Sequence, residues 1–359
     1  MHIAYYITGH GYGHAIRSST IVNALPLSVR VTFKTSVPVA FFQDELHRPF
    51  DYCRAVFDCG CLQTDSVSVD IPATLNAYKA IAENNRRSLD AEVGWCGRHG
   101  VDGIVSDITP FAFEVARSAG IPSIAVTNFT WFDVYREYAA SYPDFSPCLD
   151  EILKQYRSAS FLLALSPSMP LDYFKNRQSA PVVGRRGIVR RNQIGELFGF
   201  PPDKKIALIY TGDFGLSSAM WEKLSTYTSW EFFCLYDLPG HASNFHWIDK
   251  SDVSYPDLIA SADCVISKLG YGVVAECMIN NTPVIFLPRK NFAEYPVLEK
   301  AVIEWGGGVR LSFDRFLRLD WDPALRQVVG MKPLPSVPSN GASACAEIIA
   351  SYFSAPSSK

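Results

Sequence analysis

Cys264-Val265-Ile266-Ser267-Lys268-Leu269-Gly270-Tyr271-Gly272-Val273-Val274-Ala275-Glu276 joins a short apolar run to two closely spaced glycines and the opening turns of an amphipathic segment. The run 264–267 has the length and apolarity of a buried strand. Gly270 and Gly272 open the backbone. A helix is expected over 271–279, because Val273 with Cys277 and Val274 with Met278 pair at i and i+4. Glu276, four residues after Gly272, falls on the same helix face as that glycine. A strand that feeds a glycine turn and then a helix is half of a βαβ unit, and its helix start favours an anion. A diphosphate suits that start, and Glu276 one turn in is placed to accept hydrogen bonds from ribose hydroxyls. The plainer alternative is a surface glutamate on an ordinary βα unit.

The same alternation extends on both sides of this stretch. In the second half, strands are expected at 205–210, 231–236 and 283–287, with helices at 217–227, 255–261 and 293–304. After the strand at 283–287 stands Pro288-Arg289-Lys290-Asn291-Phe292-Ala293-Glu294-Tyr295. There Arg289 is a candidate to neutralise phosphate and Glu294 to bind sugar hydroxyls. Thr211-Gly212-Asp213-Phe214-Gly215 makes a further turn at the same sheet end, so Gly212 joins the donor-side candidates with Lys268, Gly270, Tyr271 and Gly272. Gly215-Leu216-Ser217-Ser218-Ala219 resembles the phosphate loop of small-molecule kinases of the galactokinase type. No other segment supplies the rest of such a kinase, and the match reads as a decoy, with a phosphate contact by the loop itself left open.

In the first half, strands are expected at 2–7, 29–34, 103–106, 123–126 and 161–165, with helices at 15–25, 71–95 and 112–119. The first strand runs directly into Thr8-Gly9-His10-Gly11-Tyr12-Gly13-His14. Its alternating glycines, Gly9, Gly11 and Gly13, bring backbone amides close to a ligand. The spacing is G-x-G-x-G rather than G-x-G-x-x-G, and Lys34 and Thr35 stand where an acidic ribose-binding residue would be, which argues against NAD. His10 and His14 are candidate general bases, since an imidazole accepts a hydroxyl proton near neutral pH. Asp107, at a strand end in Ser106-Asp107-Ile108-Thr109-Pro110, faces two readings: it activates a hydroxyl in the cleft, or it caps the following helix. Asn128 and Trp131, in Thr127-Asn128-Phe129-Thr130-Trp131, are acceptor-side candidates, with Phe132, Tyr135 and Tyr138 behind them, although core packing is the commoner fate of such rings.

The fold class expected is α/β, with two Rossmann-like doubly wound domains facing a central cleft, where ligands of such sheets bind. The first domain spans 1–180 and the second 204–340. The linker at 181–203 is marked by Pro181, Pro201 and Pro202. Its basic cluster of Arg185, Arg186, Arg190 and Arg191 reads as a solvated loop rather than a site for a phosphorylated ligand. An amphipathic helix is expected at 342–353.

Composition narrows the functions. The 359 residues are 48% hydrophobic and 19% charged, with a net charge of −3. That balance excludes intrinsic disorder and disfavours a dedicated nucleic-acid binder. No apolar run approaches the roughly 18 residues of a membrane span. Residues 1–8 enter the glycine loop without a basic stretch or cleavage site, which predicts a domain start rather than a signal peptide. The nine cysteines have no metal-ligand spacing, so reduced thiols in a cytoplasmic protein are expected, with no metal site.

Taken together, the strand with T-G-H-G-Y-G-H, then I-S-K-x-G-Y-G-x-x-A-E-C, P-V-I-F-L-P-R and F-x-E-Y-P-V-L, resemble GT-B glycosyltransferases. The resemblance is to the glycosyltransferase-like N-terminal region of L-arabinokinases and, more distantly, to the lipid-II-forming N-acetylglucosaminyltransferase family. It implies an acceptor in the first domain, a nucleotide diphosphate sugar such as a UDP-sugar in the second, and a final helix at 341–355 packing back on the first. Gly270, Gly272 and Glu276 become donor-site residues, and Gly11, Gly13 and His14 the first-domain loop. The second histidine and the missing G-G-T-G-G-H string depart from the lipid-II enzyme and leave the base and the acceptor open.

The activity expected is transfer of a hexosyl or N-acetylhexosaminyl group to a hydroxyl acceptor. No D-x-D motif is present and helix and cationic groups can replace a metal, so metal independence is expected, with no cofactor beyond the sugar donor. Arg289, the 270–271 helix start and Lys268 would stabilise the leaving diphosphate, while His14, His10 or Asp107 would deprotonate the acceptor. The alternatives are a nucleotide-sugar epimerase of the UDP-N-acetylglucosamine 2-epimerase type and a catalytically inactive nucleotide-sugar-binding protein. The aromatic stretch 131–138 favours an acceptor site over both. Peripheral membrane contact through a lipid acceptor stays open, although no basic amphipathic helix announces a membrane dock. Oligomeric state stays open too.

Overall fold

The computed structural model describes residues 1–64, 68–210, 218–235, 242–332 and 334–355. Its first sheet is built from β1 (His2–Ile7), β2 (Arg30–Thr35), β3 (Asp51–Arg54), β4 (Gly103–Asp107), β5 (Ser123–Thr127), β6 (Phe161–Leu165) and β7 (Arg177–Ala180). All seven run parallel, in the order β3-β2-β1-β4-β5-β6-β7. β1, β4 and β5 are buried along their whole length, which is why they read as unbroken apolar runs rather than alternating ones. The chain's path reverses between β1 and β4, where Ile7 pairs with Asp107. That reversal is where a doubly wound sheet opens a ligand crevice.

Around this sheet lie α1 (Tyr12–Ala24), α2 (Val39–Glu45), α3 (Ile71–His99), α4 (Phe111–Ala119), α5 (Trp131–Ala139) and α6 (Ser146–Arg157). α3 starts where Asp70 accepts from the Ala73 amide at 2.9 Å and stops at Gly100, which is left-handed. α5 is opened by a capping box in which Thr130 and Asp133 satisfy each other's backbone amides.

The linking segment then carries α7 (Arg191–Phe198). This differs from the expectation of an unstructured linker. Ile194 is fully buried, and Phe198 and Phe200 lie 5.0 and 6.0 Å from Phe233, so apolar anchors hold the segment on the second sheet. That sheet contains β8 (Lys205–Tyr210), β9 (Trp230–Cys234), β10 (Phe245–Trp247), β11 (Cys264–Lys268), β12 (Val284–Leu287) and β13 (Gly308–Arg310), parallel in the order β10-β9-β8-β11-β12-β13. Its reversal falls between β8 and β11, mirroring the first sheet.

The helices here are α8 (Ser218–Trp221), α9 (Tyr255–Ser261), α10 (Tyr271–Asn280), α11 (Tyr295–Trp305), α12 (Phe313–Leu317) and α13 (Asp322–Val329). The helix expected over 217–227 is shorter. It tightens into a 3-10 turn at Glu222–Thr226, where the Ser225 and Thr226 hydroxyls each donate to the carbonyl three residues back, at 2.7 Å. The chain ends in α14 (Gly341–Ser354), which returns to the first sheet. Cys345, Ala346 and Ile349 are buried, and Tyr352 stacks on Phe161 at 5.4 Å. The architecture is therefore α/β with two Rossmann-like units and a final helix crossing back, as expected. Among the described residues no helix is long and apolar enough to cross a membrane, no group of three metal-ligating side chains gathers, and the nine cysteines form no disulfide.

Candidate active site

The two reversal points face each other, and between them lies a cleft of about 590 Å³. The first-domain wall is the loop after β1, with Gly9, His10 and Gly11, and the first turn of α1, with Tyr12, Gly13 and His14. Gly11 has φ +75°, a backbone conformation that side chains rarely adopt, and it lets the chain turn straight into α1. The second-domain wall is the start of α10, with Lys268, Gly270, Tyr271, Gly272 and Glu276, and the loop after β12, with Arg289, Phe292 and Glu294. A methyl group at Gly272 would lie 3.7 Å from the Gly13 Cα. Two glycine-led helix starts, one per domain, thus meet across the cleft. Gly212 and residues 215–217 of the phosphate-loop-like segment lie outside the described residues.

His14 sits over Asp107. Its Nδ1 is 2.9 Å from Asp107 Oδ1, and Arg17 reaches the same carboxylate through Nε at 2.6 Å and Nη2 at 2.5 Å. Arg17 Nη2 is also 3.0 Å from His14 Nδ1. A carboxylate only accepts, so the closer contact, to Asp107 Oδ1 at 2.9 Å, is satisfied by Nδ1–H, while Arg17 Nη2 is already held by that same carboxylate oxygen. With Nδ1–H donating to Asp107, Nε2 is left as the acceptor of a ring that lines the cleft. Burial pushes the Asp107 carboxyl up, but the neighbouring Arg17 and His14 outweigh it and hold it at about 2. Asp107 is fully buried and does not line the cleft. The capping reading is corrected, since the N-cap of α4 is Pro110 with no side-chain bond. The carboxylate is taken up instead by His14, Arg17 and Ser18.

His10 is a different kind of histidine. Its Nδ1 accepts from the Cys61 amide at 3.3 Å, so the proton resides on Nε2. The ring stands edge-on to Trp131 at 5.3 Å, and Gly60, at φ +60°, leaves no room for a side chain against it. Burial, then the nearby His14, Arg289 and Lys268, push its pKa down to about 3. His10 is thus a neutral N–H donor near pH 7, and burial, ahead of the cations around it, makes it a weak base.

Three further expectations are revised. Trp131, expected at an acceptor rim, is fully buried in the first-domain core with Tyr135 and Tyr138, its ring stacked on that of Tyr135 at 5.7 Å. Asn128 is also fully buried; it takes Arg17 Nη1 on its oxygen and donates to Glu294, each at 2.6 Å. The Tyr271 hydroxyl is spent on the interdomain crossing, accepting from the Val183 amide at 3.0 Å and donating to the Ser166 carbonyl at 3.1 Å, so that only its ring faces the cleft.

The carboxylates and the cation on the second-domain wall divide the site. Glu276 accepts from Arg185 Nε at 2.6 Å, and Arg185 Nη1 reaches Glu45 of α2 at 3.0 Å. Arg185 is therefore an ion-paired bridge and not part of a solvated loop. Burial raises the Glu276 and Glu294 carboxyls, against the opposing pull of Arg185 on the first and of Asn128 and Arg289 on the second. Arg289 lies over the Phe292 ring, 3.9 Å from its centre, with a buried Nε that makes no hydrogen bond among the described residues. Arg17 and Arg185 were missed as site residues. For Arg17 the signal was present, three residues after His14 on the same helix face.

Fold and cleft together define the GT-B architecture. Among solved structures, the calicheamicin glycosyltransferase CalG4 is similar at TM-score 0.64 and 15% identity over 99% of each chain. A putative UDP-N-acetylglucosamine 2-epimerase from Listeria monocytogenes is similar at TM-score 0.60 and 12% identity, over 98% of this chain and 97% of that one. In sequence the chain is 33% identical over 358 residues to L-arabinokinase of Arabidopsis thaliana, covering 96% of this chain and 34% of that protein. The chain thus spans about a third of the length of the curated relative it matches. No protein-family model matches it.

Proposed function

We propose that the chain is a glycosyltransferase that moves a sugar from a nucleoside diphosphate sugar to a hydroxyl acceptor, with no metal required. The observation that carries this reading is the His14–Asp107 pair at the first reversal point, directly opposite the glycine-led start of α10 at the second. His14 Nε2 takes the acceptor's hydroxyl proton as the oxygen attacks the sugar's anomeric carbon. Asp107 holds the ring in the productive tautomer and stabilises the imidazolium that forms. The bond to the diphosphate breaks on the other side. The α10 start, Lys268, Arg289 and the His10 N–H then receive the developing charge. Glu276 accepts from the ribose and Glu294 from the sugar.

The burial of Trp131 removes the aromatic argument against an epimerase, and the similarity to a putative epimerase keeps that reading in play. An epimerase would act on the donor alone, whereas a transferase needs a second substrate. The test is calorimetric binding of UDP, GDP, dTDP, CDP and ADP and their sugars, followed by turnover with and without acceptor alcohols. Selective binding of one diphosphate, lost in Glu276→Ala, with acceptor-dependent release of it, supports the transferase. His14→Ala should then lower kcat by roughly 10² to 10⁴ while binding persists. Acceptor-independent conversion of the sugar, or binding without any turnover, would replace the reading with one of its rivals.

A further inference from the structure

Glu294 belongs to the second domain, yet the first domain aims it. Asn128, one residue beyond β5, donates from Nδ2 to Glu294 Oε1 at 2.6 Å, and its Oδ1 accepts from Arg17 Nη1 at 2.6 Å. The amide's orientation is dictated by its neighbours. A guanidinium only donates and a carboxylate only accepts, so the oxygen must face Arg17 and the nitrogen Glu294. Arg17 cannot swing away, because two bonds pin it to Asp107 and its guanidinium lies 4.9 Å from the centre of the Tyr271 ring. Arg17, Asp107, Asn128 and Glu294 are each no more than 3% exposed. At such burial a hydrogen bond to an ion is strong and an unpaired ion costly.

The chain of bonds spends one Glu294 oxygen at the domain boundary. No other hydrogen bond to this carboxylate is made by the described residues, and the side chain lines the cleft. We infer that Asn128 is a positioning residue that fixes Glu294 to read a hydroxylated sugar, so that the sugar subsite exists only while the two domains are docked. The inference deepens the nucleotide-sugar reading and rests on it. The nucleotide moiety is assigned to the α10 start and Glu276, which make no hydrogen bond to Asn128. Loss of Asn128 should therefore be felt by the sugar and not by the nucleotide.

The test compares binding of a free nucleoside diphosphate with that of its sugar conjugate, using the diphosphate the wild type selects. Asn128→Asp is nearly isosteric and turns the Nδ2 donor into an acceptor facing a carboxylate. It should weaken the conjugate about tenfold or more and leave the free diphosphate within about twofold. Asn128→Asp combined with Glu294→Gln restores one hydrogen bond with donor and acceptor exchanged, and should recover most of the loss. Asn128→Ala, which removes the donor without adding charge, gives the same split if the aspartate variant does not fold. Equal weakening of both ligands would reduce Asn128 to a structural residue, and unchanged binding of the conjugate would also overturn the inference. A wild type that binds neither ligand would instead overturn the nucleotide-sugar reading itself, which keeps the two failures apart.

Discussion

Two histidines four residues apart, His10 on the loop after β1 and His14 in the first turn of α1, differ because their neighbours differ. His14 faces a carboxylate held at about 2, while His10 faces cations and aromatic rings. This has a consequence for stability. In the unfolded chain a histidine titrates near 6.5. In the folded protein His10 stays neutral down to about pH 3. The folded pKa is depressed, so the unfolded state binds the proton first as pH falls. Stability that is complete above about pH 6.5 therefore declines below it and stops declining only near pH 3. His10→Gln keeps an N–H donor but cannot titrate. Its unfolding free energy from urea melts should fall less steeply than the wild type's between pH 7 and 4, by up to about 1.4 kcal/mol per pH unit. The carboxylates titrate in both proteins, so the difference isolates the imidazole. Parallel slopes would mean that His10 carries its proton in the folded state.

At the scale of elements, the strands buried on both faces were legible. β1, β6, β8 and α9 coincide with the expected limits, since an apolar run bounded by turn residues has few other fates. The edge strands β3, β7, β10 and β13 were not, because each is short, partly exposed and defined by the neighbour it pairs with. The glycine loops and Asp107's place at a strand end could be read locally. The partners that give Asp107 and Glu276 their chemistry, Arg17 and Arg185, lie 90 and 91 residues away from them. The loop between β12 and α11 shows the same limit. Phe292 and Ala293 come from the second domain but are buried in the first-domain aromatic core, with Phe292 5.6 Å from Phe129. Replacing a buried Phe by Ala costs about 3–5 kcal/mol. Because this one anchors a second-domain loop in the first-domain core, Phe292→Ala should lower the melting temperature and also split or broaden the calorimetric transition. A transition that shifts down but stays equally sharp would mean that the two domains do not depend on this plug for their cooperativity.

At the scale of the whole molecule, the donor side of the cleft is tied to the opposite domain through charge. Arg185 bridges Glu276 on α10 and Glu45 on α2, and Lys250 pairs with Asp44 nearby. The two bridges are not equivalent. Lys250 and Asp44 are 71% and 56% exposed, so screening leaves that pair little weight. Arg185 is 19% exposed and Glu276 only 2%, so removing the guanidinium strands a carboxylate in the interior. Arg185→Met should therefore cost about 2–3 kcal/mol of stability. It should also raise the Glu276 proton affinity and weaken the diphosphate, because Glu276 loses its orienting partner. Arg185→Lys should rescue little, since an ammonium cannot span two carboxylates as the guanidinium fork does. Glu45→Gln separates tether from orientation. It leaves the Glu276–Arg185 bond in place while loosening the hold on α2, so diphosphate affinity should persist while small-angle scattering reports a larger radius of gyration. If Arg185→Met scatters like the wild type and binds diphosphate equally well, the bridge contributes neither closure nor orientation, and the docking of the domains rests on the other contacts between them, the Phe292 plug, the Asn128–Glu294 and Tyr271–Ser166 bonds and the crossing of α14.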